Sequence, residues 1–185
     1  MQLGTLETDR LRVRRLAPSD ADVLPAVSGG VAAGWLEWTA ATYDQLEALH
    51  QPPYGERGIE LRATGELVGL VGLVPSFGPF DQLPGFGMGA SGPARNRPEM
   101  GLYWALAPAH RGNGYATEAA RAVAEYAFSE LGLARIVATT ERTNAPSQAV
   151  MRRLGMRVEE NPLPEPEWFQ VVGWLDARGL PPHAG

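Results

Sequence analysis

Apolar and polar residues alternate in part from Leu6 to Leu16, with Leu11, Val13 and Arg15 set against Arg10, Arg12 and Arg14. A two-residue period predicts a strand. Pro18-Ser19-Asp20 then reads as a helix start, opening a short helix to about Val27 that Ser28-Gly29-Gly30 ends. Residues 31–41, with Trp35 and Trp38, fit neither period. Thr42 is placed to cap a helix from Tyr43 to His50, which Pro52-Pro53 stops. Ile59–Arg62 and Leu67–Val74 are short β runs. Thr64-Gly65 between them predicts a hairpin.

Residues 75–98 are rich in Gly, Pro and Ser and read as one long loop carrying Phe77, Phe80 and Phe86. Connections of that length are usually functional or disordered. Met100–Leu106 reads as a central strand. A helix follows from about Gly114 to Leu131, with Tyr115, Ala119, Val123, Tyr126 and Ala127 as its apolar face. Glu118, Arg121 and Glu125 form its outer face at ion-pair spacing, and Gly132 ends it. Arg135–Thr140 is a strand. Ala145–Leu154 is a helix closed by Gly155. Met156–Glu160 and Trp168–Leu175 are the last strands, and Pro162, Pro164 and Pro166 break the chain between them. This order is mixed α/β. No repeat or linker divides it, so residues 1–185 read as a single domain.

Composition narrows the function classes. The chain has 185 residues, 44% of them hydrophobic and 20% charged, as in an ordinary globular protein. It has no Cys, which excludes a disulfide framework, a thiolate nucleophile and Cys-ligated zinc. Its three His (His50, His110, His183) are far apart, so no metal site is expected. All 16 basic residues are Arg, which excludes a Schiff-base or P-loop lysine. The net charge of −5 disfavours nucleic acid as a partner. No apolar run approaches a membrane span, and the N-terminus has no signal-peptide core, so the expected compartment is the cytoplasm.

The stretch that bears chemistry is Leu102–Ala120, LYWALAPAHRGNGYATEAA. A strand ends at Leu106, and Arg111-Gly112-Asn113-Gly114-Tyr115-Ala116 opens a helix. Glycines let backbone N–H groups approach a ligand, and the first N–H groups of a helix have no internal partner. That suits a phosphate or pyrophosphate. A tight strand-to-helix turn alone would use the same glycines. The dinucleotide GxGxxG pattern is absent, because Ala116 and Thr117 follow Gly114.

The six residues Arg111–Ala116 match the R/Q-x-x-G-x-G/A signature of the GNAT N-acetyltransferase superfamily. HRGNGYATEA is similar to the branch of ribosomal-protein alanine N-acetyltransferases. LETDRLRVRRLAPSDAD resembles that branch's opening strand and first helix, ELVGLVGL its third strand, and ERTNAPSQAVMRRLGMRVEE its N-x-x-S segment. The resemblance covers nearly the whole chain apart from residues 31–41 and 75–98. It implies the GNAT acyltransferase fold. That is a mostly antiparallel central sheet, splayed between its fourth and fifth strands, with helices on both faces. Acetyl-CoA would lie in the splay, its pyrophosphate on the N–H groups of Arg111, Gly112, Asn113, Gly114, Tyr115 and Ala116, with a hydroxyl bond from Thr117. The pantetheine arm would pair with backbone near Leu106 and with the Asn144 amide. Asn144 equally suits a helix cap.

The implied reaction is direct attack of a primary amine on the thioester, with no metal. It needs a base, oxyanion donors and a partner for the leaving thiolate. Glu99 is the candidate base, acting directly or through water. A solvated strand-end carboxylate would look the same. Ser147 matches the position near the CoA sulfur. Tyr103, Trp35 and Trp38 are candidates for the acceptor site. Tyr43, Glu37 and Asp44 could join them in holding a cation by aromatic faces and carboxylates, although core packing explains such aromatics as well. His110 reads as a surface turn residue. The loop 75–98 is expected as an acceptor-site lid or as disordered surface. The acceptor is a protein or peptide N-terminal amine, or a small-molecule amine. A homodimer is compatible with the family. The alternatives are a non-catalytic acyl-CoA-binding sensor and a transferase of a bulkier acyl group such as succinyl.

Overall fold

The structure, a computed structural model, describes residues 3–24, 27, 34–86 and 95–179. The opening segment is two strands rather than one. β1 (Leu6–Glu7) and β2 (Leu11–Arg14) pair antiparallel, with Leu6 opposite Val13. Thr8 makes the turn: its N–H donates to the Leu11 carbonyl, and its Oγ1 accepts from the Leu11 N–H at 3.0 Å. Pro18–Asp20 forms one 3-10 turn. The remainder of the short helix expected to Val27, with its Ser28-Gly29-Gly30 stop, falls partly or wholly outside the described residues.

α1 runs from Trp35 to Ala48, eight residues earlier than a Thr42 cap would allow. Gly34, at φ 78°, precedes it, and Thr42 lies inside, its hydroxyl donating to the Trp38 carbonyl at 2.8 Å. The apolar stripe that sets the helix is Leu36, Thr39 and Tyr43, all buried. A stripe read only from Tyr43 onward misses its first turns. β3 (Gly55–Leu61) and β4 (Leu67–Gly78) form the expected hairpin, each longer than its apolar run.

The remaining elements are β5 (Arg97–Leu106), α2 (Tyr115–Ser129), β6 (Arg135–Thr140), α3 (Ala145–Arg153), β7 (Arg157–Glu160) and β8 (Val171–Asp176). The strand order is β1-β2-β3-β4-β5-β6-β8-β7. β5 and β6 run parallel, in register at Gly101 and Val137. They are the pair expected as fourth and fifth, renumbered because the first strand is two. Pairing in β1/β2, β2/β3, β3/β4, β6/β8 and β7/β8 is antiparallel.

The chain divides into two compact units, residues 1–74 with 102–132 and residues 75–101 with 133–185. The first has an aliphatic core. Leu16, Leu24, Val27, Leu36, Leu67, Leu70 and Ala107 cluster, and Trp35 packs on them. α2 packs on β1 and β2 through small residues: Ala116, Ala119, Ala120, Val123, Ala124 and Ala127 are buried. Tyr115 and Tyr126, expected on that face, are only half-buried. A polar network also holds this unit. Arg14 bonds both oxygens of buried Asp20, at 2.8 and 2.9 Å, and Glu60 at 2.6 Å. Burial raises the Asp20 carboxyl, but Arg14 and the Ala17 N–H outweigh it and hold it below its ordinary value.

The second unit has an aromatic core. Phe80, Leu83, Phe86, Val137, Phe169, Val172 and Trp174 cluster, with Phe80 stacked on Phe86 and edge-on to Phe169. This corrects the reading of residues 75–98 as a loop. Residues 75–78 complete β4. Phe80–Gln82 and Pro84–Phe86 are 3-10 turns whose apolar side chains are core. Through Phe86 the segment is therefore packed structure and not disordered surface. Burying each such side chain contributes about 1.5–3 kcal/mol. Residues 87–94 lie outside the described residues.

Candidate active site

The phosphate-loop candidate begins where β5 ends. The Ala107 N–H donates to Val68 O at 3.0 Å, so that donor is spent on the sheet. Pro108–His110 makes a 3-10 turn. Gly112 and Gly114 both sit at φ 82°, a left-handed conformation that strains most side chains and branched ones above all, so the turn itself favours glycine at both positions. Gly114 is the N-cap of α2 and supplies no side-chain acceptor. The N–H groups of Gly112 to Thr117 have no backbone acceptor among the described residues. The first bond into the helix runs from the Glu118 N–H to Gly114 O at 3.1 Å. A row of bare donors at the positive end of a fifteen-residue helix fits an anion.

The loop's own side chains brace it. Arg111 turns back, its Nε–H donating to the Leu106 carbonyl at 3.1 Å, and its backbone N–H, expected among the pyrophosphate donors, is spent on Pro108 O at 3.3 Å. The Asn113 amide donates to the carbonyls of His110 and Arg111. His110 meets Glu66 at 3.0 Å and is a turn residue, in line with its sequence context. The residue that the sequence pattern does not reveal is Arg10. It lies over the Tyr115 ring, donates to Asn113 O at 3.1 Å and pairs with Glu118 at 2.6 Å. Glu118 is thus not a solvated outer-face residue: it also accepts from the Thr8 hydroxyl and the Arg10 N–H. Burial raises its carboxyl, but these donors prevail and hold it below its ordinary value. The available signal is the density of arginines from position 10 to 15, which a strand reading spends on alternation.

In the second unit Glu99 stands on β5, partly buried, with Arg135 Nη1 at 4.0 Å. Burial pushes its carboxyl up, against the pull of Arg135 and Arg97. Arg135 is itself shared, bonding Asp176 at 2.9 Å and lying 4.3 Å over the Phe86 ring. Asn144 caps α3: its Oδ1 accepts from the Ser147 N–H at 3.2 Å, leaving the amide hydrogens without a partner among the described residues. Arg142 fixes the approach to this helix, donating to Gln170, Glu160 and the Asn161 carbonyl. The half-buried Ser147 hydroxyl makes no hydrogen bond among the described residues.

The acceptor-site candidates separate. Trp35 packs on the core, whereas Trp38 is 64% exposed. Tyr43 cannot offer its ring to an outside cation, because Arg15 and Arg57 already lie over it at 5.3 and 4.9 Å. Arg15 also takes the Asp44 carboxylate at 2.9 Å. Arg57 is 1% exposed, with Nε and Nη1 unpartnered, and burial pushes its guanidinium down to about 10. Tyr103 is exposed on β5.

Among the described residues no three His, Asp or Glu side chains gather as a metal site, and no helix is long and apolar enough to cross a membrane. A mixed sheet whose β5 and β6 run parallel, and a glycine turn that opens a helix with bare N–H groups, define an α/β protein whose α2 start is suited to an anionic group. The family model described as an acetyltransferase (GNAT) domain matches residues 10–157, and the chain belongs to that family. It is an acyl-CoA-dependent acetyltransferase.

Two Bacillus subtilis (strain 168) proteins are similar in sequence. The uncharacterized N-acetyltransferase YoaA is 30% identical over 164 residues, 83% of each chain. The uncharacterized N-acetyltransferase YnaD is 48% identical over 56 residues, 30% of this chain and 33% of that one. An acetyltransferase structure from Agrobacterium tumefaciens C58 superposes with a TM-score of 0.63 at 27% identity, covering 95% of both chains. Mycobacterium smegmatis RimJ in complex with CoA-disulfide shares the fold, with a TM-score of 0.55 at 21% identity over 94% of this chain and 85% of that one.

Proposed function

We propose that this protein transfers the acetyl group of acetyl-CoA to a primary amine, on a small molecule or at a protein N-terminus. The observation that carries the reading is the row of bare N–H groups from Gly112 to Thr117, in a chain of the GNAT family. They would hold the pyrophosphate, with Thr117 adding a hydroxyl bond. The Arg10, Arg111 and Asn113 side chains donate to the carbonyls of Asn113, Leu106 and His110, which would brace the turn around the ligand. Asn144 would bind the pantetheine amide through its unused amide hydrogens, while its oxygen caps α3.

The chemistry is one substitution at the thioester carbonyl. The amine nitrogen forms the new C–N bond, the C–S bond breaks, and the amine proton leaves to a base. Glu99 is the proposed base, directly or through water, and its burial raises its proton affinity in the direction this role needs. The departing thiolate would take a hydrogen bond from the Ser147 hydroxyl, whose own acidity is too weak for more. Trp38 and Tyr103 would line the acceptor site, with Trp35 behind them as packing. We place the reaction in the cytoplasm.

Thermal unfolding with acetyl-CoA tests the reading. At a hundredfold excess over the dissociation constant the ligand adds about 2.7 kcal/mol, which raises Tm by roughly 5–10 °C in a chain of this size. Thiol release on adding amines then reports transfer, free of background because the chain has no Cys. No rise in Tm at saturating acetyl-CoA removes the reading.

A further inference from the structure

We infer that Glu56 on β3, together with Tyr103 on β5, binds the cationic amine of the acceptor; the inference rests on the amine-acceptor reading and adds a residue to it. Glu56 lies opposite Gly72 of β4, and β4 lies between β3 and β5. The Ala107 N–H bonds Val68 O, and a Cβ at Gly69 would meet Ala105 O and Leu106, so counting along β4 and β5 from that pairing brings Tyr103 beside Gly72, which puts no side chain between it and Glu56. Position 72 is glycine of necessity, because a Cβ there would strike the backbone of Gly55 and Glu56.

The Glu56 charge reaches the Tyr103 phenol across this gap and, after burial, contributes to raising it. Neither side chain is engaged elsewhere. Glu56 makes no ion pair and its carboxylate accepts no hydrogen bond among the described residues, in a unit where Glu7, Glu60, Glu66 and Glu118 are all paired. Tyr103 is 36% exposed, with no partner for its hydroxyl among the described residues.

The backbone at Glu56 is fixed despite this idle carboxylate. The Tyr43 hydroxyl donates to the Glu56 carbonyl and accepts from the Leu16 N–H, tying α1, β3 and the segment after β2 together. The neighbouring arginine does not neutralise Glu56, because Arg57 lies against the Tyr43 ring. A carboxylate and a phenol oxygen, held on strands either side of a glycine, offer acceptors to the N–H donors of an ammonium group. An uncharged or anionic acceptor gains nothing from them.

Glu56→Gln, Glu56→Asp and Tyr103→Phe test this, with spermidine and an alanine-initiated peptide as probes. Ultraviolet titration of wild type against Tyr103→Phe isolates the Tyr103 phenol. Glu56→Gln lowers its pKa if the two groups are neighbours, and an unmoved phenol overturns the geometry. In transfer assays Glu56→Gln raises KM for the amine about tenfold or more, the worth of a charged hydrogen bond. kcat stays within about threefold, Glu56→Asp retains part of the affinity, and the acetyl-CoA-induced rise in Tm is unchanged. An unchanged KM overturns the proposal.

Calorimetry with spermidine at neutral pH separates this failure from failure of the enzyme reading. If acetyl-CoA does not stabilise the wild type, the transferase reading falls. Spermidine binding that is lost in Glu56→Gln then still upholds the site, and binding that is absent, or equal in both proteins, overturns it.

Discussion

Two helices, one in each unit, begin in opposite ways. α2 starts from Gly114, which offers no side chain, and the N–H groups of its first turn are bare. α3 starts from Asn144, whose oxygen takes the Ser147 N–H, and has Pro146 in its first turn, which carries no N–H at all. Every helix leaves its first four N–H groups without internal partners. α3 answers part of that need from its own sequence. α2 keeps its donors free, with Arg10, Arg111 and Asn113 spent on the turn's carbonyls and on Glu118. The difference is the ground for proposing the anion at α2, whose start leaves its N–H groups unsatisfied.

The comparison breaks most visibly at Gly114. Gly114→Val forces a branched side chain into φ 82° and sets its Cβ about 3.4 Å from Arg10. It is expected to cost about 1–2 kcal/mol of stability and to abolish the acetyl-CoA-induced rise in Tm. Gly114→Asn tolerates the left-handed conformation and should lose less stability, so thermal scans with and without ligand separate strain from blocked binding.

Asn144 offers the next effect. Asn144→Ala loses the cap, at about 1 kcal/mol, and the amide. Asn144→Asp keeps the acceptor and loses only the donors. Both are expected to raise KM for acetyl-CoA roughly ten- to fiftyfold, but only the alanine lowers the urea midpoint. Equal KM values in all three proteins would reduce Asn144 to a cap.

Ser147→Ala leaves the α3 cap intact, since the bond uses the Ser147 N–H. Stability should stay within about 0.5 kcal/mol, and kcat should fall about tenfold. The smallest effect is at Glu118. Its folded carboxyl is held below the ordinary value, so its stabilisation is present above about pH 4 and is lost as pH falls through the folded value. Urea midpoints at pH 7 and pH 3 should differ less in Glu118→Gln than in wild type.

How much of the fold and site is legible in the sequence follows from where each signal lives. The Gly112 and Gly114 turn, Asn144 as cap and Gly155 as terminator are local backbone needs, and local patterns report them. β6 has the ends its pattern predicts, because Gly132 ends the helix before it and the polar Glu141-Arg142 follows it. α1 begins ahead of its predicted start because its stripe includes Thr39, a polar residue at a buried position. Residues 79–86 resemble a loop because Pro79, Pro84 and Gly85 interrupt any regular period. Their burial depends on Phe169, Val172 and Trp174, about ninety residues onward. Sequence distance also hides Arg10, whose partner Glu118 is 108 residues onward, and the period of a strand does not distinguish a paired charge such as Glu60 from an idle one such as Glu56.

The aromatic core of the second unit has a kinetic consequence. Phe80, Leu83 and Phe86 arrive on a segment rich in turn residues, which in most proteins would open and exchange its amide hydrogens within seconds. Here those three side chains fill the space beside Phe169, Val172 and Trp174, so the segment cannot lift without exposing that cluster to water. The Leu83 and Phe86 amides, bonded to Phe80 O and Leu83 O, should therefore exchange as slowly as those of β8. A segment written as a loop should then open only together with the cluster it fills.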